Sequence, residues 1–306
     1  MRQETRTLLL LTFLSPFLAE VLGGSTHPLQ LVVQPLSFPF LWLFYGSGVL
    51  LIREAWVRFG GGQAGLMLLG ALYGVVEEGV VIRSWFDPDW PDLGALRDYG
   101  RVFGVNTSWA VLLTIYHTTM SIAIPILVVE LLHPELRGKS LIGKRGVLLA
   151  TLAFCASAFA FAHLTSYVPS PAQYSVALFS ALALLLLARK FGSMDVPFTP
   201  AHPFILGFLS GAMIFTSLAF LPKALPPLAT STVGTLALVL FFASLNGDEK
   251  RAVLGFLAFW LIIYDILLEL VCIIGEAILG PLSYVPLFRG LGAVDRASTD
   301  QSHAER

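Results

Sequence analysis

The chain has 306 residues, 56% hydrophobic and 13% charged, with a formal net charge of −1 and a mean hydropathy of +0.77. Soluble domains carry about 25% charged residues, so a soluble globular protein is excluded. A near-neutral charge without a basic stripe excludes a nucleic-acid binder. The class that remains is an all-α polytopic membrane protein, with the lipid bilayer as its first partner.

A spanning helix needs about 20 apolar residues, and nine stretches approach that length: 7–22, 36–52, 62–82, 108–132, 146–166, 171–188, 203–221, 229–245 and 252–279. Pro and Gly mark the connections, as at Gly60-Gly61-Gly62, Pro134, Pro169, Pro197 and Pro222. Residues 1–280 then form one transmembrane helical domain, and 281–306 a polar, disordered tail. Arg2 and Arg6 ahead of Leu8 are compatible with a cleaved signal peptide. Pro16 and Glu20 interrupt that run, however, which favours a first spanning or half-spanning helix. Cys155 and Cys272 fall inside apolar runs and read as packing residues.

Orientation follows from Lys and Arg in alternate loops. With the N-terminus inside, the inner set is Arg2, Arg6, Arg53, Arg58, Arg137, Lys139, Lys144, Arg145, Arg189, Lys190, Lys250 and Arg251, or 12 residues. The outer set is Arg83, Arg97, Arg101, Lys223, Arg289, Arg296 and Arg306, or 7. The C-terminus is therefore expected outside, together with the loop 84–107 and its Asp87, Asp89, Asp92 and Asp98. Arg53 with Glu54, and Glu130 before a basic loop, read as anchors at the inner interface.

Two adjacent glutamates, Glu77 and Glu78, stand in an apolar helix. An acidic residue at mid-membrane costs about 2.5–3.5 kcal/mol, so the pair asks for roughly 5–7 kcal/mol unless protonated, paired or wetted. Neighbours in a helix point about 100° apart, so both can face a bundle interior but cannot share one contact geometry. At 1.5 Å per residue Glu77 lies roughly 22 Å from the inner start of its helix, and His117 roughly 14 Å from the outer start of the next. His117 shares a face with Thr114 and Ser121, and His163 sits near the outer end of the fifth segment. In the ninth, Asp265, Glu269, Cys272 and Glu276 form one stripe. Phe86-Asp87-Pro88-Asp89-Trp90-Pro91-Asp92 reads as a turn, with a cation site as the alternative.

With these residues in place the chain resembles the CAAX-protease and bacteriocin-processing family of intramembrane endopeptidases. That family carries Glu-Glu-x-x-x-Arg, Phe-x-x-x-His and His-x-x-x-Asn or Asp on three helices. Glu77 and Glu78 supply the first pair, with Arg83 one residue late; Phe159 and His163 fit the second motif, and Leu113 stands where His117 would need Phe. No His is followed four residues on by Asn or Asp. The chain also looks like uncharacterised prokaryotic membrane proteins that share a Glu-Glu-Gly, Phe-Asp-Pro, Tyr-Gly-Arg and Gly-Val-Asn pattern, here between Glu77 and Asn106. That likeness places it in the cytoplasmic membrane of a prokaryote and brings no activity with it.

Three classes of function follow. The first is an intramembrane hydrolase, a peptidase by resemblance, in which Glu77 or Glu78 activates water and His117 or His163 donates to the oxyanion. A divalent metal such as zinc, on Glu78, His117 and His163, is its variant. The second is a proton- or cation-coupled transporter whose path runs through Asp265, Glu269 and Glu276. The third is a non-catalytic membrane subunit. A membrane peptide or a small molecule is the substrate expected for the first. Glu77, Glu78, His117 and His163 should then approach within about 10 Å of one another in one cavity of the outer half.

Overall fold

Inside a bilayer the backbone has no water to bond, so each apolar run must close its own helical ladder. The computed structural model describes residues 3–23, 26 and 36–263, and these form an all-α bundle with one two-stranded hairpin. Helix α1 (Gln3–Pro16) runs into a π-helical turn, Phe17–Val21. α2 spans Ser37–Arg58, and α3 (Gln63–Val75) passes into a second π turn, Val76–Val81. After the hairpin of β1 (Arg101–Val102) and β2 (Val105–Asn106), α4 (Thr107–Tyr116) continues through a third π turn, His117–Ala123, into α5 (Ile124–Leu132). α6 (Lys144–Leu164), α7 (Pro171–Phe191), α8 (Pro203–Ala219) and α9 (Pro227–Ala258) complete the described chain.

Six stretches are long and apolar enough to cross a membrane: Ser37–Arg58, Gln63–Val81, Thr107–Leu132, Lys144–Leu164, Pro171–Phe191 and Pro227–Ile263. Pro203–Ala219 is a shorter apolar helix. The expected nine are not reached among the described residues. Segment 229–245 and the described start of 252–279 are two helices joined at Asp248 (φ −162°, ψ 101°), whose carboxylate caps the second through Arg251 N at 3.0 Å. Residues 264–279, the stripe of Asp265, Glu269, Cys272 and Glu276, and the tail 281–306 lie outside the described residues.

Connections alternate between two ends, as repeated crossing requires. At one end Gly62 N bonds Gly192 O and Arg137 pairs with Glu249; at the other Tyr99 Oη bonds Leu225 O and Gln173 bonds Gly104 O. The Thr107–Leu132 span is the most enclosed, at 78% buried, and α6 and α7 the least, at 11%. The central span therefore carries the core and α6 and α7 turn their apolar surfaces outward. Cys155, expected as a packing residue, is on that exposed surface.

Arg53, Glu54 and Glu130, expected as anchors at the inner interface, form one buried cluster. Arg53 is fully buried, donates from Nη2 to Glu130 Oε1 at 2.6 Å, and bonds the carbonyls of Leu136 and Lys139. Glu54 accepts from Leu141 N at 2.7 Å and from Ser140. A guanidinium carries five N–H donors and can satisfy a carboxylate and a loop of carbonyls at once, so this cluster staples the 133–143 connection to α2. We expect Arg53→Met to destabilise the protein by about 3–5 kcal/mol, since it leaves Glu130 buried and uncompensated, and Arg53→Met with Glu130→Leu to recover most of that. Thermal unfolding in detergent decides; a neutral Arg53→Met contradicts the staple.

Candidate functional site

The site begins with a stripe of small residues. Gly70, Gly74 and Glu78 are spaced four apart and share one face of the helix. A Cβ on Gly70 would stand 2.9 Å from Thr118 Cγ2, and one on Gly74 would stand 3.1 Å from Thr114 Cα and 3.2 Å from His117 Cβ. Without those Cβ atoms α3 and α4 approach closely, as small-residue stripes allow in membranes. Glu78, next along the stripe, then meets His117.

Both glutamates sit in the second π turn, closed by Ile82 N bonding Glu77 O at 2.8 Å. A π turn takes one more residue per turn than an α-helix, so adjacent side chains diverge less. Glu77 and Glu78 thereby reach one imidazole from its two edges, each in a different geometry. Glu78 Oε1 is 3.1 Å from His117 Nε2, and Glu77 Oε2 is 3.0 Å from His117 Nδ1. The second contact is close but off the N–H direction: Nδ1 has its hydrogen-bond partner in Ser121 Oγ at 2.8 Å, and Glu77 Oε2 is buried with no hydrogen bond of its own.

His117 opens the third π turn, and Pro125 accounts for that irregularity. Proline has no N–H for the carbonyl four residues back, which is Ser121 O, and Ser15 Oγ from α1 bonds that carbonyl at 2.6 Å. Glu20 lies in the first π turn, where Tyr45 Oη donates to its Oε1 at 2.6 Å and Thr26 to its Oε2 at 2.8 Å. The rings of Tyr45, Tyr73 and Tyr116 surround the imidazole at 5.4–6.4 Å between centroids. Glu20, Glu77, Glu78 and His117 are thus all on π turns, a feature that clusters at functional sites.

A cap closes over this floor. Arg83 adopts φ 68°, a left-handed conformation costly for a residue with a Cβ, and its guanidinium bonds Thr165 O at 2.9 Å, Ala162 O and the Thr165 hydroxyl at the end of α6. The reversal returns Ser84 to the site, where its hydroxyl donates to Glu78 Oε2 and accepts from Trp109 Nε1 at 2.9 Å. Asn106 receives Trp109 N at 2.9 Å, and its own N–H donates to Trp85 O at 2.8 Å. Arg101 bonds the carbonyls of Phe86, Asp87 and Gly104. Glu77 and Glu78 of Glu-Glu-Gly and Asp87 of Phe-Asp-Pro line a cavity of about 860 Å³, and Arg101 and Asn106 of the Tyr-Gly-Arg and Gly-Val-Asn pieces brace the lid from behind.

The cavity is lined by Glu20, Glu77, Glu78 and His117 below and by Asp87, Asp89 and Asp92 at the lid. Burial against the wall, then the charges of Glu78 and Glu20, push the Asp92 carboxyl up from its ordinary range, although part of the residue still meets solvent. One ligand atom from each of Glu77, Glu78 and His117 lies within 4.8 Å of the others. Two carboxylates and an imidazole are a donor set that zinc or a similar divalent ion accepts, and the buried Glu77 oxygen without a hydrogen bond fits that use. His163 is elsewhere. It is exposed on α6, its Nδ1 is 2.8 Å from Phe159 O one turn back and its ring packs on Phe159, so Phe-x-x-x-His here is a local pair. Tyr45, Tyr73 and Ser84 were not singled out for the site from the sequence; the usable signals were the Gly70, Gly74, Glu78 spacing and a proline inside a spanning segment.

The model of an uncharacterized membrane protein family matches residues 9–288. No curated protein and no solved structure matches the chain.

The glycine stripe generates an expected outcome. Gly74→Leu should destabilise the protein by about 1–3 kcal/mol through overpacking against Thr114 and His117. Gly143→Ala, where an added Cβ meets open space, should leave the melting temperature in detergent unchanged. Equal melting of Gly74→Leu and wild type would mean that α3 and α4 are not in close contact.

Proposed function

We propose that this chain, which belongs to an uncharacterized membrane protein family, is an intramembrane hydrolase that cleaves an amide bond of a membrane peptide. The observation that carries the reading is His117 held between two buried carboxylates at the floor of a cavity. Glu77 is the general base, because its Oε2 is the oxygen left without a hydrogen bond. It takes a proton from water as the water oxygen bonds the carbonyl carbon. His117 donates to the developing oxyanion, the proton held by Glu77 passes to the leaving nitrogen, and the C–N bond breaks to give a carboxylic acid and an amine. Glu78, fixed by Ser84 and Trp109, orients the imidazole. A divalent ion such as zinc, held by Glu77, Glu78 and His117, would supply a polarised water at the same place.

His163 has no part in this scheme, so the likeness to the CAAX-protease family rests on Glu77, Glu78 and the loosely fitting His117. The Lys and Arg excess at the opposite end orients the cavity mouth to the outer side. A second reading, a proton- or cation-coupled carrier, is favoured by the carboxylates that line the cavity without Lys or Arg among the described residues.

Purified protein in detergent, incubated with a library of quenched fluorogenic peptides, tests the choice. Wild type should release new amino termini, and Glu77→Gln, Glu78→Gln and His117→Gln should each lose about 10²-fold or more in turnover while remaining folded. Glu269→Gln and Asp265→Asn should keep activity. Cleavage that survives Glu77→Gln and Glu78→Gln would remove the hydrolase reading. Cation-driven uptake by proteoliposomes that requires the ninth-segment carboxylates would replace it with the carrier.

A further inference from the structure

The electrostatics of the cavity are one-sided. Its described lining has six carboxylate residues, Glu20, Glu77, Glu78, Asp87, Asp89 and Asp92, one imidazole, and neither Lys nor Arg. Of the three arginines around the cap, Arg97 pairs with Asp89, Arg101 bonds backbone carbonyls of the lid, and Arg83 bonds Ala162 O and Thr165 at the end of α6. Asp89 pairs with Arg97 and the Glu77-Glu78 pair with His117, whereas Asp87, Asp92 and Glu20 have no salt-bridge partner among the described residues. Between floor and lid the walls are apolar and aromatic, with Phe44, Phe161, Leu164 and Tyr167 among them. Trp90 stands in the lid between Asp89 and Asp92, an indole face able to receive a cation.

Two features with different ligand preferences are thus stacked in one cavity. The apolar walls suit a hydrophobic stretch of chain, and the acidic lid suits positive charge, where low-dielectric walls strengthen the field. The buried Glu77 oxygen without a hydrogen bond, 3.0 Å from His117 Nδ1, lies at the floor below. We propose that the substrates are peptides with a Lys or Arg immediately flanking an apolar segment, the cation resting beside Trp90 between Asp87 and Asp92 and the apolar segment against the walls. This rests on the hydrolase reading for the word substrate, but the binding preference is measurable without any cleavage.

Two synthetic peptides with the same labelled apolar segment, one flanked by Lys-Lys and one by Glu-Glu, are titrated with purified protein in a nonionic detergent and followed by fluorescence anisotropy, with empty micelles as blank. The Lys-Lys peptide should bind at least about tenfold tighter at low ionic strength, and the advantage should shrink with added salt. Asp87→Asn with Asp92→Asn should cut the preference about fivefold or more; asparagine keeps the Asp87 oxygen that receives Asp89 N. Asp98→Asn, an acid of the same loop outside the lining, should leave the preference intact and shows that total loop charge is not the cause. Equal binding of the two peptides, or a preference that survives the double variant, overturns the inference. Preference without cleavage upholds it and counts against the hydrolase, whereas cleavage without preference overturns the inference alone.

Discussion

A histidine held between two carboxylates inside an apolar bundle is the constraint on which the rest of this structure depends. Each carboxylate is costly in the bilayer interior, and mutual attraction offsets that cost only where geometry is fixed and the remaining lone pairs are bonded. Glu78 meets that condition, with His117 on one oxygen and Ser84 on the other. Glu77 does not, since one oxygen has no hydrogen bond although it lies 3.0 Å from Nδ1. The arrangement is stable as a whole and leaves one group under-satisfied, which is where chemistry is expected.

Holding that geometry explains several local irregularities. Three helices give up regular α-geometry where Glu20, the Glu77-Glu78 pair and His117 occur. Pro125 and Ser15 account for one of these turns, and the strained Arg83, bonded to the end of α6, returns Ser84 to Glu78. At the far end of the bundle Arg53, Glu54 and Glu130 tie α2 to the next connection, so the helices that carry the site are fastened at both ends. The outer faces of α6 and α7 carry little of this order, as expected of surfaces turned to lipid.

Much of this was legible in the sequence, for identifiable reasons. Apolar runs near 20 residues long, punctuated by Pro and Gly, report spanning helices because the bilayer thickness imposes the length. Adjacent acids inside an apolar run point to a site because their cost demands specific compensation. Depth arithmetic placed Glu77, Glu78 and His117 together because rise per residue is constant. It had no means of resolving rotation about the helix axis, so His163, at a plausible depth, points out of the bundle with Phe159. The π turns were invisible because no composition encodes them directly, and the convergence of two adjacent glutamates on one ring depends on them. Arg53 and Glu130, 77 residues apart, are a pairing that local reading takes for two separate anchors.

The central claim is the proximity of both glutamate carboxylates to the His117 ring, and rotational-echo double-resonance NMR measures it directly. Protein labelled with 15N in its histidine rings and 13C in its glutamate side-chain carboxyls is reconstituted in lipid, and the dipolar dephasing of wild type is compared with that of variants. Strong dephasing should appear in wild type, fall in both Glu77→Gln and Glu78→Gln, and drop in His117→Gln to the level left by His133 and Glu135, which are 3.6 Å apart. Dephasing in wild type that is no stronger than in His117→Gln would contradict the account.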